Sequence, residues 1–177
     1  AFPYTHYTTI SRADVAALFA YLRSVPAVNK RNLTHSLQFP YDQRWLLVAW
    51  RALFFRPGAY QMVATQDERW NRGAYLVQGL GHCGACHDAR NALGAIRRQT
   101  DAAGGVIHNW YAPALNAAAE AGVAAWSEDQ VVALLRTGIN QSAVTLGPMA
   151  EVVYNSLQHL RDEDLRAMAI YLRSLNA

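Results

Sequence analysis

The segment GHCGACHDAR, from Gly81 to Arg90, holds both cysteines of the 177-residue chain. Cys83 and Cys86 are separated by two residues, and His87 follows directly. Two cysteines cannot form the several disulfides of a small secreted scaffold, and a structural zinc site would need a second pair of ligands. A thioredoxin-like site would need a βαβ setting, which the flanking sequence lacks. The cysteine count and the flanking sequence therefore disfavour a disulfide scaffold, a structural zinc site and a thioredoxin-like site.

The pattern Cys-x-x-Cys-His predicts one covalently attached haem c. The thiols of Cys83 and Cys86 would form thioethers with the porphyrin, and the imidazole of His87 would bind the iron. A redox or zinc Cys-x-x-Cys site is the alternative. Covalent haem attachment, rather than any targeting signal, predicts a periplasmic location, either free or at the outer face of the cytoplasmic membrane.

The composition is that of a globular chain, with 52% hydrophobic and 16% charged residues. The net charge is only +3, and because no run of Lys and Arg concentrates it, nucleic acid binding is not expected. The longest apolar run, Trp45 to Phe55, is interrupted by Arg51 and is shorter than the ~20 residues that a membrane-spanning helix needs. No transmembrane segment is predicted.

The chain contains an internal repeat. ISRADVAALFAYLRSV (Ile10–Val25) aligns without gaps to LRDEDLRAMAIYLRSL (Leu160–Leu175), with six of sixteen positions identical. We therefore predict that residues 1–25 are the tail of a preceding cytochrome c-like domain, whose own Cys-x-x-Cys-His would precede Ala1. Residues 26–64 would be a connector with an aromatic helix, and residues 65–177 a cytochrome c domain. Chance similarity between two amphipathic helices is the alternative.

The secondary structure is predicted to be all α-helical, because no useful period-2 alternation occurs. TQDE (Thr65–Glu68) predicts a capped helix that reaches Gly81, and SEDQ (Ser127–Gln130) predicts another that ends at Gly138. A last helix is predicted from about Arg161. Its apolar stripe would consist of Leu165, Met168, Ala169 and Leu172.

The long segment between His87 and Ser127 has few helical signals in its first half. A loop of this length is unusual in a compact domain, but a porphyrin could serve as its core. Ordinary core packing is the alternative. The side chains expected to form the walls of the haem pocket are Trp110, Tyr111, Pro113, Leu115 and Trp126.

Met149 is the preferred sixth ligand of the iron. It lies in LGPMAE, where Gly147 and Pro148 break regular structure, so we expect a loop to present its thioether. His108 is the main rival. The other two methionines, Met62 and Met168, are explained by the connector and the core.

On the opposite side of the iron, the second ring nitrogen of His87 needs an acceptor, and the carbonyl of Pro113 is our candidate. The other four histidines are expected at the surface or half-buried: His6, His35, His82 and His159.

Four segments carry a resemblance to a known family: RGAYLVQGLGHCGACH (Arg72–His87), NWYAPALN (Asn109–Asn116), WSEDQVVALLRTG (Trp126–Gly138) and GPMAEVV (Gly147–Val153). They resemble the second haem domain of multi-haem cytochrome c subunits of membrane-associated bacterial dehydrogenases. These enzymes include quinoprotein alcohol, flavin-dependent sugar or gluconate, and molybdenum aldehyde-type dehydrogenases. The start AFPYTHY resembles the end of the family's first haem domain, where methionine often stands in place of Phe2.

The resemblance implies a class I cytochrome c fold in which Cys83, Cys86, His87 and Met149 hold the haem. It implies an electron-transfer subunit rather than an enzyme, with a dehydrogenase catalytic subunit and other haem domains or a terminal acceptor as partners. We also expect Gly73 and Tyr171 to mark the crossing of the first and last helices of the domain.

Three questions stay open from the sequence alone. A haem peroxidase or gas-binding sensor is the functional alternative, and it would need an open sixth position. The aromatic segment Phe39–Tyr60 is a candidate docking surface for the dehydrogenase or a membrane contact through Trp45 to Phe55, unless it packs on its own domain. The basic residues Arg90, Arg97 and Arg98 follow the Cys83–His87 segment. They have three alternative roles: to steer an acidic partner, to pair with the haem propionates or to form a solvated loop.

Overall fold

The computed structural model describes residues 3–97, 101–107 and 109–175. The expectations for Phe2, Arg98 and His108 fall outside these ranges. The described part of the chain contains α1 (Tyr4–Tyr7), α2 (Arg12–Ser24), α3 (Leu46–Phe54), α4 (Glu68–Tyr75), α5 (Gly84–His87), β1 (Gly105–Ile107), β2 (Trp110–Ala112), α6 (Glu128–Thr137), α7 (Pro148–Asn155) and α8 (Asp162–Arg173). The all-α prediction is confirmed in part, because the described chain is mostly helical but contains two short strands.

Helix α4 leads directly into the segment that contains both cysteines. Its N-cap is Asp67, whose side chain accepts a hydrogen bond from the Trp70 amide at 2.7 Å. The cap predicted at Thr65 is therefore wrong by two residues, because aspartate is an equally good cap and stands closer to the helix. The helix continues as a π-helical turn, Leu76–Leu80, which is a form that often lies beside functional sites.

Helix α6 forms as the sequence predicts. The Ser127 side chain accepts from the Gln130 amide, and the Gln130 side chain accepts from the Ser127 amide. The helix ends at Gly138, whose φ of 78° is the left-handed conformation that glycine adopts without strain.

The core forms where α4 crosses α8. Leu165, Met168, Ala169 and Leu172 are all buried, which confirms the predicted stripe. At Gly73, a Cβ atom would lie 1.9 Å from the carbonyl oxygen of Ala167 and 3.0 Å from the Cβ of Tyr171. The predicted crossing point is therefore confirmed, and only glycine permits the observed approach of the two backbones.

A partly buried ion pair also joins the two helices. Arg72 Nε donates to Asp164 Oδ1 at 2.8 Å, and the Asp164 side chain is only 12% exposed. The hydrogen bond from Arg72 is the main reason why the pKa of Asp164 lies below its ordinary value. Because the folded-state pKa is depressed, the stabilisation is complete above the ordinary pKa of about 3.9 and is lost as the pH falls through the folded-state value.

We expect Asp164→Asn to lower the free energy of unfolding by about 1–2 kcal/mol at pH 7, because solvent at Arg72 weakens the pair. The difference from the unmodified chain should shrink below about pH 4, where Asp164 itself becomes protonated. Urea unfolding at pH 7 and at pH 3.5 measures the difference in the free energy of unfolding at each pH. Glu163→Gln is the matched control, since that side chain is 80% exposed. An equal loss in the control would contradict a specific role for Asp164.

The β-hairpin is the main departure from the all-α prediction. Gly105, Val106 and Ile107 pair antiparallel with Ala112, Tyr111 and Trp110. Strands of three residues are too short to leave an alternating pattern in the sequence. The segment between His87 and Ser127 is thus partly ordered by its own backbone hydrogen bonds.

The region before α4 is largely exposed. No residue of α2 or α3 is buried, although Trp50 Nε1 donates to the Leu93 carbonyl at 2.9 Å and ties α3 to the rest of the chain. The end of the connector is fixed by the buried Asn71, whose side chain accepts from the Val63 amide and donates to the Val63 carbonyl. Among the helices described, none is long and apolar enough to cross a membrane.

Candidate haem site

The two cysteines and His87 lie on one helical turn. The amides of Cys86 and His87 donate to the Cys83 carbonyl at 3.1 and 3.0 Å, so the turn closes within five residues. Neither cysteine is in a disulfide. Burial raises the pKa of the Cys83 thiol to about 12 and also raises the pKa of Cys86. A redox-active Cys-x-x-Cys site needs a lowered thiol pKa, so this environment disfavours that alternative.

His87 has the environment of a metal ligand. Its Nδ1 lies 2.8 Å from the Pro113 carbonyl oxygen, which is the contact that the sequence predicted. A carbonyl only accepts, so Nδ1 carries the proton and Nε2 keeps its lone pair, the tautomer that binds a metal. Burial, the largest effect, lowers the pKa of His87 and favours the neutral imidazole.

The turn is packed too tightly for larger residues. A Cβ atom at Gly84 would lie 2.2 Å from Asp88 Oδ2, and one at Gly105 would lie 2.7 Å from the Cys86 carbonyl oxygen. Asp88 is only 2% exposed, and its Oδ1 accepts from the Ala102 amide at 2.8 Å. The segment that leads into the hairpin therefore braces the turn from outside.

Met149 occupies a different backbone setting from the one expected. Pro148 is the first residue of α7, so Met149 lies in the first helical turn and not in a loop. Proline is favoured at that position because it lacks only an amide that a helix start leaves unpaired. Met149 is half-buried and packs against the hydrophobic core. The ring of Trp110 lies beside Gly147, where a Cβ atom would come within 2.7 Å of it.

The expected pocket walls divide into two groups. Leu115 and Trp126 are half-buried and, with Cys83 and Met149, pack against the same core cluster. Trp110 and Tyr111 are 49% and 58% exposed, and the Tyr111 hydroxyl donates to Glu120 at 2.7 Å. Pro113 is exposed and contributes its backbone carbonyl to His87.

The residues fit a covalent haem. The two thiols and the imidazole share one turn, His87 has the tautomer that binds a metal, and a thioether packs on the same core. Within the described ranges, no group of three or more His, Cys, Asp and Glu side chains could hold a metal ion by itself.

Arg90 is engaged in loop structure. Its guanidinium donates to the carbonyls of Ala85 and Gly94, both at 2.8 Å. It therefore braces the chain just after the attachment turn, a role that the sequence did not suggest.

His6 is the residue that sequence reasoning missed. It was expected to be half-buried or exposed, but it is only 6% exposed, and burial is the main reason why its pKa is lowered. The neighbouring Tyr7 ring stacks on the His82 ring with centroids 5.5 Å apart. A cleft between this N-terminal segment and the turn is lined in part by His6, Cys83 and His87. No local pattern marks these contacts, because the partners are more than 70 residues apart in the chain.

Comparison with known proteins places these features in context. No protein-family profile matches the chain. It is 45% identical over 177 residues to a subunit of the nicotinate dehydrogenase of Pseudomonas putida, covering 99% of this chain and 15% of that protein. It is 38% identical over 188 residues to the cytochrome c subunit of a quinone alcohol dehydrogenase of Gluconobacter oxydans, covering 100% of this chain and 39% of that subunit.

A third relative is a diheme cytochrome c of Cereibacter sphaeroides, 37% identical over 187 residues, with 100% of this chain and 59% of that protein covered. The chain thus spans between 15% and 59% of the length of these three relatives.

Proposed function

Since this chain belongs with the cytochrome c subunits of bacterial alcohol, fructose and gluconate dehydrogenases, we propose that it carries one haem c and relays single electrons. It would accept electrons from a dehydrogenase catalytic subunit and pass them to another haem, a quinone site or a terminal oxidase, in the periplasm. The observation that carries this proposal is the Cys83–His87 turn with His87 Nδ1 held by Pro113.

Haem c supplies the one-electron chemistry when it is bound. The protein residues then have separate tasks. Cys83 and Cys86 would hold the porphyrin covalently, His87 would bind the iron, and the Pro113 carbonyl fixes the orientation of the His87 ring. Leu115 and Trp126, which pack on the core, would keep water from that side of the haem.

Met149 would be the second protein ligand of the iron. A thioether ligand in addition to the imidazole would raise the reduction potential and leave no open position on the iron. A haem peroxidase or gas-binding sensor would need an open face. The half-buried position of Met149 on the core favours the relay over that alternative.

We further propose that residues 1–25 are the tail of a preceding cytochrome c-like domain, with α2 as its last helix packed against the rest of that domain. Val15, Leu18 and Leu22 are 50%, 44% and 65% exposed, whereas their equivalents in the repeat are buried: Leu165, Met168 and Leu172. The two helices also end alike, because Ser24 Oγ donates to the Tyr21 carbonyl and Ser174 Oγ donates to the Tyr171 carbonyl. The apolar side of α2 is thus suited to pack against another helix, as α8 packs against α4.

Helix α3 is a proposed contact for a partner. Trp45, Val48 and Leu53 are 68%, 72% and 65% exposed, and the inward Trp50 holds the helix in place. The exposed side combines apolar and basic residues. A dehydrogenase surface and a lipid headgroup region both suit this chemistry.

Mass spectrometry of the intact chain tests the proposal. Produced in a host that attaches c-type haem, the chain should gain the mass of one haem that denaturation and acid extraction do not remove. The reduced protein should show a sharp low-spin α-band and bind no carbon monoxide. A chain that carries no covalent haem would rule the proposal out, and a high-spin spectrum with ready carbon monoxide binding would favour the peroxidase or sensor.

A further inference from the structure

We propose that His6 is a positioning residue for the haem-attachment turn, although it lies 77 residues before Cys83 in the chain. Its imidazole holds the middle of the π-helical turn, at the Gln78 carbonyl, and closes one side of the Cys83–His87 turn against water. This inference rests on the proposed function, because it concerns the same haem.

The first support is a hydrogen bond across the chain. Nδ1 of His6 lies 3.3 Å from the Gln78 carbonyl oxygen, and only a protonated Nδ1 can donate to it. Gln78 lies inside the π-helical turn, where the widened backbone changes the usual pairing of carbonyls. The neighbouring carbonyls of Leu76, Val77 and Gly79 accept from the amides of Gly81, Cys83 and His82. His6 thus donates to the Gln78 carbonyl, which lies between these three carbonyls in the chain.

The second support is close packing on the turn itself. A Cβ atom at Gly84, between the two cysteines, would lie 3.1 Å from Cε1 of His6. A Cβ atom at Gly79 would lie 2.7 Å from the Thr9 hydroxyl oxygen. Tyr7 adds its stack on His82, the residue directly before Cys83. Three side chains of one short segment therefore cover the π-helical turn and the attachment turn in succession.

The third support is burial. His6 is 6% exposed, and its Nε2 is buried with no hydrogen-bond partner among the residues that the structure describes. A buried nitrogen without a partner costs free energy, so ring packing and the Nδ1 contact must outweigh that cost. If this side chain only covered the surface of the turn, an apolar residue could do so without burying a polar ring nitrogen.

The consequence concerns the iron. Water beside the turn would stabilise the more highly charged oxidised haem, and a looser turn would free the orientation of His87. Removal of His6 should therefore lower the reduction potential, even though His6 is not a ligand.

The test compares three variants of the whole chain after haem attachment. In His6→Ala, the potential should fall by at least the 59 mV that corresponds to a tenfold shift of a one-electron equilibrium. His6→Asn keeps an N–H donor near the position of Nδ1 and should restore more than half of the loss. His159→Ala removes an exposed histidine and should leave the potential unchanged. Redox titration followed at the α-band gives all three values.

The outcomes separate this inference from the proposed function. If the unmodified chain carries no haem, the proposed function fails. If it carries haem and His6→Ala has the same potential, or His6→Asn is as impaired as His6→Ala, the positioning role of His6 is wrong. Should His6→Ala not retain haem, Gly79→Ala provides the second test, because the new Cβ would displace the segment at Thr9 and shift His6 from the Gln78 carbonyl without deleting its imidazole. An unchanged potential in Gly79→Ala would then overturn the inference.

Discussion

Replacing Met149 with alanine is expected to lower the reduction potential of the haem and to let carbon monoxide bind the reduced iron. A thioether ligand would favour reduced iron, and its loss would leave an open or water-filled position. Axial ligands set haem potentials over a range of roughly 0.8 V, so the change should be a substantial part of that range. Redox titration measures the potential, and the carbon monoxide difference spectrum measures access to the iron.

Met62→Ala is the matched control, because this methionine is 69% exposed in the connector. It should leave both the potential and the carbon monoxide response unchanged. If Met149→Ala behaves like the unmodified chain, the sixth ligand is another side chain, and His108 becomes the first candidate. If both variants bind carbon monoxide, the sixth position of the iron is open for a reason unrelated to the loss of either thioether.

The attachment turn could be predicted because its chemistry is local. Cys83, Cys86 and His87 lie within one helical turn, so their spacing alone indicates their geometry. The contact from His87 to Pro113 was also predictable, because a metal-binding imidazole needs an acceptor on its second nitrogen. The buried stripe of α8 followed from helical periodicity.

Signals that fit two structures were harder to interpret. Gly147 and Pro148 indicate a loop, but proline is equally favoured at the first position of a helix, and the chain takes that form. Thr65 and Asp67 are both good caps, and the pattern could not choose between them. The burial of His6 could not be predicted at all, because it depends on a contact with Gln78, far along the chain, and has no local periodicity.

The second large effect is expected at Gly73. Alanine is the better helix former by about 1 kcal/mol, so propensity alone predicts that Gly73→Ala stabilises α4. The packing predicts the opposite, because the new Cβ would lie 1.9 Å from the carbonyl oxygen and 2.5 Å from the carbonyl carbon of Ala167. Both are backbone atoms of α8 and cannot rotate away, so the two helices must separate.

We therefore expect Gly73→Ala to cost about 3 kcal/mol or more in the free energy of unfolding, at or above the upper end of ordinary overpacking. Denaturant unfolding followed by circular dichroism measures it. Gly58→Ala is the control, since no atom of the described part of the chain lies within 4 Å of a Cβ there, and its effect should stay within about 1 kcal/mol. A Gly73→Ala chain as stable as the control would mean that α4 and α8 do not meet at the observed distance. Because Trp70 and Tyr171 pack at the same crossing, the core that supports the attachment turn would then need a different arrangement.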